Sequence, residues 1–330
     1  MATSTKTQVL QILRTAADYV SGQQICEQLG ISRTAVWKVI NQLKEEGYEI
    51  EAVQNRGYLL AAAPDVVSAS ELESRMRTRV MGRRLLYLEE VDSTNLEAKR
   101  QAEQGAPEGL LVVAGRQEQG RGRRGRGWES PAGTNIFMTL LLRPSFAPGQ
   151  ASMLTLVMAL AVARAIGDVS GLPVGIKWPN DIVVNKKKVV GILTELAMET
   201  DYIQYLVCGV GINVNQESFP EAIQNTATSL FLEGGRKLNR ADLIESAMEY
   251  FETYYGIFCR SKDLEGLAGE YNELLVNVNA RVRVLDPKGE YEGVSQGINR
   301  LGELLVERDD GTRENVFAGE VSVRGIYGYV

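Results

Sequence analysis

The spacing of apolar residues changes twice along this chain of 330 residues. Residues 1–63 show helical spacing, residues 66–275 alternate between strand and helix patterns, and residues 276–330 hold short runs with a two-residue period. A chain of this length is too long for one ordinary small domain. The pattern predicts an α+β multidomain protein, in which a mixed α/β domain lies between an N-terminal helical domain and a small C-terminal β-barrel.

The first segment predicts three short helices and a hairpin, followed by a linker at 61–65. Gly30 supplies a tight turn after the second helix, and Ser32 is a good N-cap for the third. This order is typical of a winged helix-turn-helix, whose third helix enters the DNA major groove. The candidate DNA contacts are Ser32, Arg33, Thr34, Trp37, Lys38 and, at the hairpin tip, Arg56.

Composition limits the chemistry. Histidine is absent, which excludes Ser–His and Cys–His catalysis and most catalytic zinc sites. The three cysteines are not at metal-ligand spacing and are expected to be reduced thiols, as in the cytoplasm. No apolar run approaches the ~18 residues of a membrane helix. The first segment holds six basic and six acidic residues, so charge does not decide between DNA binding and a three-helix protein-interaction module.

Residues 117–128 are the most informative stretch, with four arginines and four glycines in twelve residues. Gly120, Gly122 and Gly125 match the dinucleotide-binding fingerprint, but turn residues follow at 130–133 where that fingerprint requires a helix. A nicotinamide dehydrogenase is therefore disfavoured. Clustered guanidinium groups suit a polyanion such as ATP, and we expect the loop to be mobile until a ligand binds. The alternative is a basic surface loop that contacts RNA or solvent.

Two further segments point to the same chemistry. Lys188 is the last basic residue before a buried strand, where its ammonium can meet a carboxylate and a phosphate together, as acyl adenylation requires. Taken alone, residues 186–188 are more typical of a solvated basic turn. Gly209 and Gly211 leave room for a ligand to lie against a strand, or for a bulky core residue to pack there.

Together these segments resemble the biotin protein ligases, of the bifunctional type that is also the repressor of the biotin operon. The resemblance covers residues 1–325, and six motifs carry it in family order: Asp92–Asn95, Gln119–Arg126, Lys177–Asp181, Lys188–Gly191, Gly209–Asn213 and Gly319–Ser322. The tail 325–330 has no family counterpart, and 215–227, which resembles the adenylate-covering segment, shows no clear aromatic lid.

The resemblance implies a winged helix-turn-helix over 1–63, a class II synthetase-like ligase domain over 66–275 and an SH3-like domain over 276–330. It implies a cytoplasmic enzyme that uses biotin and ATP, with Mg²⁺ near Asp181 and no metal site made by protein alone. Biotinyl-5′-AMP would be both the intermediate and the corepressor. The expected partners are a biotin carboxyl carrier protein, operator DNA and a second copy of the chain, with no membrane.

The resemblance also assigns residues. Lys188 and Arg123 would be catalytic. The implied biotin contacts are Ser93, Thr94, Asn95, Gln117, Gly120, Arg121, Gly122, Arg123, Lys188, Gly191 and Gly209. The implied nucleotide contacts are Arg121, Arg123, Arg126, Trp128, Asn180, Asn213 and Arg324. Two alternatives stay open: a lipoate ligase or other acyl-adenylating ligase of the same fold, and a transcription factor whose large domain only senses a ligand.

Overall fold

The structure is a computed structural model. It describes residues 4–199, 201–286, 289–318, 322–325 and 329. The chain divides into two compact units, one of Met1–Arg77 with Asn239–Glu245 and one of Thr78–Leu238 with Ser246–Val330.

The N-terminal unit contains the predicted helices and hairpin. Its elements are α1 (Thr5–Thr15), α2 (Gly22–Leu29), α3 (Arg33–Glu45), β1 (Glu49–Val53), β2 (Gly57–Ala62) and α4 (Ala69–Arg75). Ser32 is the N-cap of α3, and its hydroxyl accepts the N–H of Ala35 at 3.2 Å. Gly30 has a φ of 66°, as the predicted turn requires. β2 continues through Ala62, so it takes in two residues of the expected linker.

This unit buries a carboxylate that the sequence patterns did not reveal. Glu71, on the unpredicted helix α4, is wholly buried. It accepts hydrogen bonds from Arg14 at 2.5 Å, Arg75 at 2.6 Å and the Tyr48 hydroxyl at 2.5 Å. Burial, together with the hydrogen bond to Glu71, raises the pKa of Tyr48. These partners compensate the buried charge and join α4 to α1 and to the start of the hairpin.

The larger unit is built on a seven-stranded mixed sheet with the order β3-β4-β5-β9-β8-β7-β6, in which β3 and β4 are parallel and the other neighbours antiparallel. Residues 239–245, which include the start of the helix Arg240–Ser261 (α8), belong to the N-terminal unit. The elements are β3 (Arg84–Val91), α5 (Thr94–Glu103), β4 (Leu110–Gln117), β5 (Ile136–Leu142), α6 (Met153–Ser170), β6 (Val174–Lys177), β7 (Asp181–Val184), β8 (Lys187–Glu199), β9 (Tyr202–Ile212), α7 (Leu230–Gly234), α8 (Arg240–Ser261) and α9 (Ala268–Leu274).

Helices cover both faces of this sheet. Thr194 and Glu195 are consecutive in β8, so their side chains point to opposite faces. Thr194 is hydrogen-bonded to Thr155 of α6, whereas Glu195 is hydrogen-bonded to Asn95 of α5. The segment Pro148–Ser170, which includes α6, is long and apolar enough to cross a membrane, contrary to the sequence expectation, but 67% of its apolar 18-residue window is buried inside the protein. Its apolar composition is that of a core helix.

The C-terminal segment forms a five-stranded antiparallel sheet with the order β13-β12-β11-β10-β14. Val282 and Val284 are buried, as their alternation with arginines predicts. The residues 286–289 have the composition of a turn, but 287–288 lie outside the described residues, as do 319–321 of the final motif. The strands are β10 (Arg281–Leu285), β11 (Tyr291–Ile298), β12 (Leu304–Glu307), β13 (Arg313–Val316) and β14 (Ser322–Gly325).

Candidate active site

A cavity in the larger unit brings together most of the residues that the sequence selected. It lies where the start of α5, the end of β4 and strands β8 and β9 meet residues 117–128, which we call the Gly/Arg loop. The lining residues are Ser93, Thr94, Asn95, Gln117, Arg121, Gly122, Arg123, Trp128, Asn180, Lys188, Gly191, Ile192, Leu193, Gly209, Val210 and Gly211. We call it the first cavity.

Glycines on neighbouring strands make room for Trp128. Gly191 of β8 and Gly211 of β9 are register partners. A Cβ at Gly191 would lie 2.7 Å from the Trp128 ring, and one at Gly211 would lie 2.6 Å from it. The Trp128 Nε1 is shielded from solvent and has no hydrogen-bond partner within the described part of the chain. The glycines are thus explained by packing against a bulky side chain at the edge of a cavity.

The Gly/Arg loop forms a tight hairpin. The N–H of Trp128 donates to the carbonyl of Gly120 at 2.9 Å, and the N–H of Gly122 donates to the carbonyl of Arg126 at 2.7 Å. At its tip Arg124 has a φ of 57°, within a single 3₁₀ turn. No α-helix follows before β5, as the turn residues predicted, so the dinucleotide-binding geometry is excluded.

Arg123 points from this hairpin across the first cavity. Its guanidinium donates to Asn180 Oδ1 at 2.8 Å and to the carbonyl of Ala318 at 3.2 Å. Burial lowers the pKa of Arg123, with Asp181 opposing this effect and Arg124 adding to it. An arginine remains charged even so, and the cavity therefore holds a partly desolvated cation.

Lys188 stands beside it on β8. Its ammonium lies 2.6 Å from Asp181 Oδ1 and 5.2 Å from the centre of a Trp128 ring. The hydroxyl of Tyr329 donates to the other oxygen of Asp181. Lys188 is one-quarter exposed, so it is not the freely solvated turn residue of the alternative interpretation.

Thr94 and Gln117 form the polar wall. The Thr94 N–H donates to Gln117 Oε1 at 2.9 Å, and its hydroxyl oxygen lies 3.0 Å from the same atom. Gln117 Nε2 donates to Ser130 at 2.9 Å. The N-cap of α5 is Ser93, whose side chain makes no capping bond. Thr94 and Glu97 have the sequence spacing of a capping box but do not form one. The Thr94 side chain is directed to the cavity wall instead.

A second cavity adjoins the first and shares Gln117, Trp128 and Lys188 with it. It contains three predicted residues that the first lacks, Gly120, Arg126 and Asn213. The other lining residues are Glu118, Gln119, Gly127, Glu129, Ser130, Gln216, Phe219, Ile223, Thr226, Ala227 and Tyr329. The Asn213 side chain donates to the carbonyl of Thr228 at 3.0 Å.

The sequence analysis missed two aromatic residues here. Phe219 lies inside 215–227, the segment whose sequence shows no clear aromatic lid, and it lines the second cavity. Tyr329 belongs to the tail that matched no family motif, and its ring lies 3.6 Å from Lys177 Nζ. No local pattern marked either residue. Arg324 lies in β14, and its side chain is outside the described part of the structure.

The predicted DNA-contacting residues are exposed on the N-terminal unit. Arg33, Thr34 and Lys38 are exposed on α3, and Trp37 is 57% exposed. The Ser32 hydroxyl caps the helix, as predicted, and its contact with DNA stays a prediction. At the hairpin tip, Arg56 lies 3.1 Å from Asp18.

Comparisons with known proteins agree with this arrangement. Residues 87–213 match the Biotin/lipoate A/B protein ligase family, residues 5–59 an HTH domain and residues 279–324 the Biotin protein ligase C terminal domain. The biotin protein ligase from Aquifex aeolicus in complex with biotin and ATP is similar in structure, with a TM-score of 0.65 and 31% identity over 74% of this chain and 99% of that chain. The larger unit thus defines a biotin protein ligase fold.

Two curated relatives extend the match through the N-terminal unit. The bifunctional ligase/repressor BirA of Bacillus spizizenii is 41% identical over 93% of this chain and 94% of its own length. The BirA of Escherichia coli is 31% identical over the same shares. The chain therefore belongs to the bifunctional ligase/repressor family of biotin protein ligases.

Proposed function

We propose that this chain is an ATP-dependent biotin protein ligase and a biotin-responsive repressor. It forms biotinyl-5′-AMP from biotin and ATP and then transfers biotin to a lysine of a carrier protein, such as the carrier domain of acetyl-CoA carboxylase. The main support for this proposal is that Arg121 and Arg123 line the same cavity as Lys188, which also borders the adjoining cavity.

Two anions must meet in the first step, because the biotin carboxylate attacks the α-phosphorus of ATP and pyrophosphate leaves. In this proposal biotin occupies the first cavity and the nucleotide the second. Lys188 stands at the junction and Arg123 lines the first cavity, so that their charges would offset the repulsion and stabilise the pentacoordinate phosphorus. A cation in a partly desolvated wall acts more strongly than one in water.

The mixed anhydride must then survive until the carrier arrives. The hairpin of residues 120–128 is the segment suited to exclude water, since its glycines allow close approach and its arginines meet phosphate. The carrier lysine attacks the biotinyl carbonyl, and AMP leaves. No side chain of the enzyme needs to be acylated, which agrees with a chain that lacks histidine.

Magnesium would enter with ATP. Among the described residues no group of three carboxylate, cysteine or histidine side chains is placed to hold a metal ion. Asp181, which is expected to lie near this metal, is paired with Lys188 and Tyr329. The triphosphate oxygens would supply the ligands, which is common for Mg²⁺.

The regulatory half of the proposal rests on the N-terminal unit. Two copies of α3 would contact the two halves of a palindromic operator, so repression requires a homodimer. Biotinyl-5′-AMP would favour this homodimer by shifting the equilibrium from monomer to dimer. The exposed Trp37 and Lys38 are suited to base edges and phosphates, respectively. Free cysteines at 26, 208 and 259 fit a cytoplasmic location.

The test uses the full chain with biotin, Mg·ATP and a carrier domain, and mass spectrometry of the adenylate and of the modified lysine. We expect Lys188→Gln to lower adenylate formation by about 10²–10³-fold, the usual loss for one electrostatic donor. Lys186→Gln is the matched control, because it removes the same charge from an exposed position of the adjacent turn. Equal activity of the two variants would contradict the role of Lys188. Adenylation of lipoate in preference to biotin would contradict biotin as the substrate.

A further inference from the structure

Tyr329, in a tail to which the sequence assigned no role, contacts the border of the two cavities. Its hydroxyl donates to Asp181 Oδ2, and the Lys177 ammonium lies 3.6 Å from the centre of its ring. Lys177 and Asp181 are register partners on β6 and β7, so their side chains leave the sheet on the same face. Tyr329 therefore contacts both members of a cross-strand pair, and it also lines the second cavity.

The backbone of Lys188 is fixed separately from its side chain. Its N–H donates to the carbonyl of Thr226 at 2.8 Å, and its carbonyl accepts the N–H of Thr228 at 2.9 Å. The ammonium stands at the end of a flexible four-carbon stem, which these bonds do not restrain. It lies 2.6 Å from Asp181 Oδ1, an atom that is shielded from solvent. The position of the Lys188 charge therefore depends on the Asp181 carboxylate.

The sheet does not by itself fix the plane of that carboxylate. Asp181 begins β7, and its backbone is in register with Lys177 and Gly191. The χ2 torsion of an aspartate is nevertheless broad and roughly two-fold. The hydrogen bond from Tyr329 to Oδ2 selects the orientation in which Oδ1 faces Lys188. A neutral donor suits this position, because it orients the carboxylate and leaves the negative charge to pair with the ammonium.

We infer that Tyr329 is a positioning residue for adenylate formation: its hydroxyl holds one oxygen of Asp181, so that the other oxygen holds the Lys188 ammonium at the border of the two cavities. This inference rests on the proposed function, in which the biotin carboxylate meets ATP at that border. A cation that is already in place needs no reorganisation as charge develops on the phosphorus. The Tyr329 hydroxyl thus acts through Lys188 rather than on a substrate.

Tyr329→Phe tests the inference, because it keeps the ring beside Lys177 and removes only the hydroxyl. We expect kcat for pyrophosphate release to fall roughly 10-fold, the lower end of the loss for a hydrogen bond to a charged group. KM for biotin should stay within about twofold, because other residues line the first cavity. Tyr202→Phe is the matched control and should react at the wild-type rate. Its hydroxyl is also bonded to a carboxylate, that of Glu199, but Tyr202 is 54% exposed.

A double-mutant cycle shows whether the hydroxyl acts through Lys188. In the Lys188→Gln background there is no ammonium to hold, so Tyr329→Phe should change the rate of adenylate formation by less than about twofold. Because these variants are slow, the adenylate is followed by mass spectrometry in single turnovers with enzyme in excess. A merely structural role, or a direct contact between the hydroxyl and the nucleotide, would give the same loss in both backgrounds.

Two results would overturn the inference. One is a kcat for Tyr329→Phe equal to that of the wild type, and the other is an equal loss from this substitution with and without Lys188. In both cases the wild-type protein would still form biotinyl-5′-AMP, so the proposed function would stand. A wild-type protein that forms no adenylate from biotin and Mg·ATP would overturn the proposed function, and the role of Tyr329 with it.

Discussion

Gly209→Ala is the substitution whose cost follows most directly from the structure. The added Cβ would lie 1.9 Å from Asn95 Oδ1, more than 1 Å inside the 3.0 Å that Cβ atoms respect. Asn95 is 4% exposed and held by hydrogen bonds to Glu195 and Leu193, so it cannot move without breaking them. The loss of one charge-assisted and one neutral hydrogen bond costs about 2–4 kcal/mol.

Urea denaturation measures this cost. Trp178, 2% exposed in the larger unit, reports on its unfolding, whereas Trp37 is already 57% exposed and contributes little change. With an m value of about 3 kcal/mol/M, the midpoint should fall by about 1 M. Gly269→Ala is the control, since its Cβ meets nothing within 4 Å and a helical glycine-to-alanine change stabilises by up to about 1 kcal/mol. A Gly209→Ala midpoint equal to that of the wild type would refute the argument.

Three other substitutions address separate parts of the molecule. Lys38→Ala should weaken DNA binding about equally for all sequences and lower the slope of log K against log salt by about 1, measured by fluorescence anisotropy; a change in sequence preference instead would contradict a phosphate contact. Tyr329→Phe removes the hydrogen-bond donor to Asp181 and should lower the rate of adenylate formation, measured as pyrophosphate release, roughly 10-fold. A rate equal to that of the wild type would contradict this prediction. Arg14→Met removes one of the positive charges that compensate the buried Glu71 carboxylate and should destabilise the N-terminal unit by about 3 kcal/mol. Amide hydrogen exchange in α1 measures this loss, and unchanged exchange rates would contradict it.

Several features of the fold followed from residues close together in sequence. The cap at Ser32, the turn at Gly30 and the absence of a helix after Gly125 are local, because each depends on backbone preferences within a few residues. The strands of the larger sheet lie in the segment where the apolar spacing predicted alternating strands and helices, since apolar runs are set by burial of one or both faces. The short helices α4, α7 and α9 were missed, because five to seven residues give too little periodicity to detect.

The sequence by itself thus determined the order of the elements and the composition of the Gly/Arg loop. Only the tertiary structure decided which polar groups meet. Glu195 and Asn95 are 100 residues apart in the chain, and Tyr329 and Asp181 are 148 apart. A local pattern cannot specify such pairs, because they form only when strands and helices fold into register. Long-range hydrogen bonds and charge pairs, rather than local propensity, set the chemistry of the cavity.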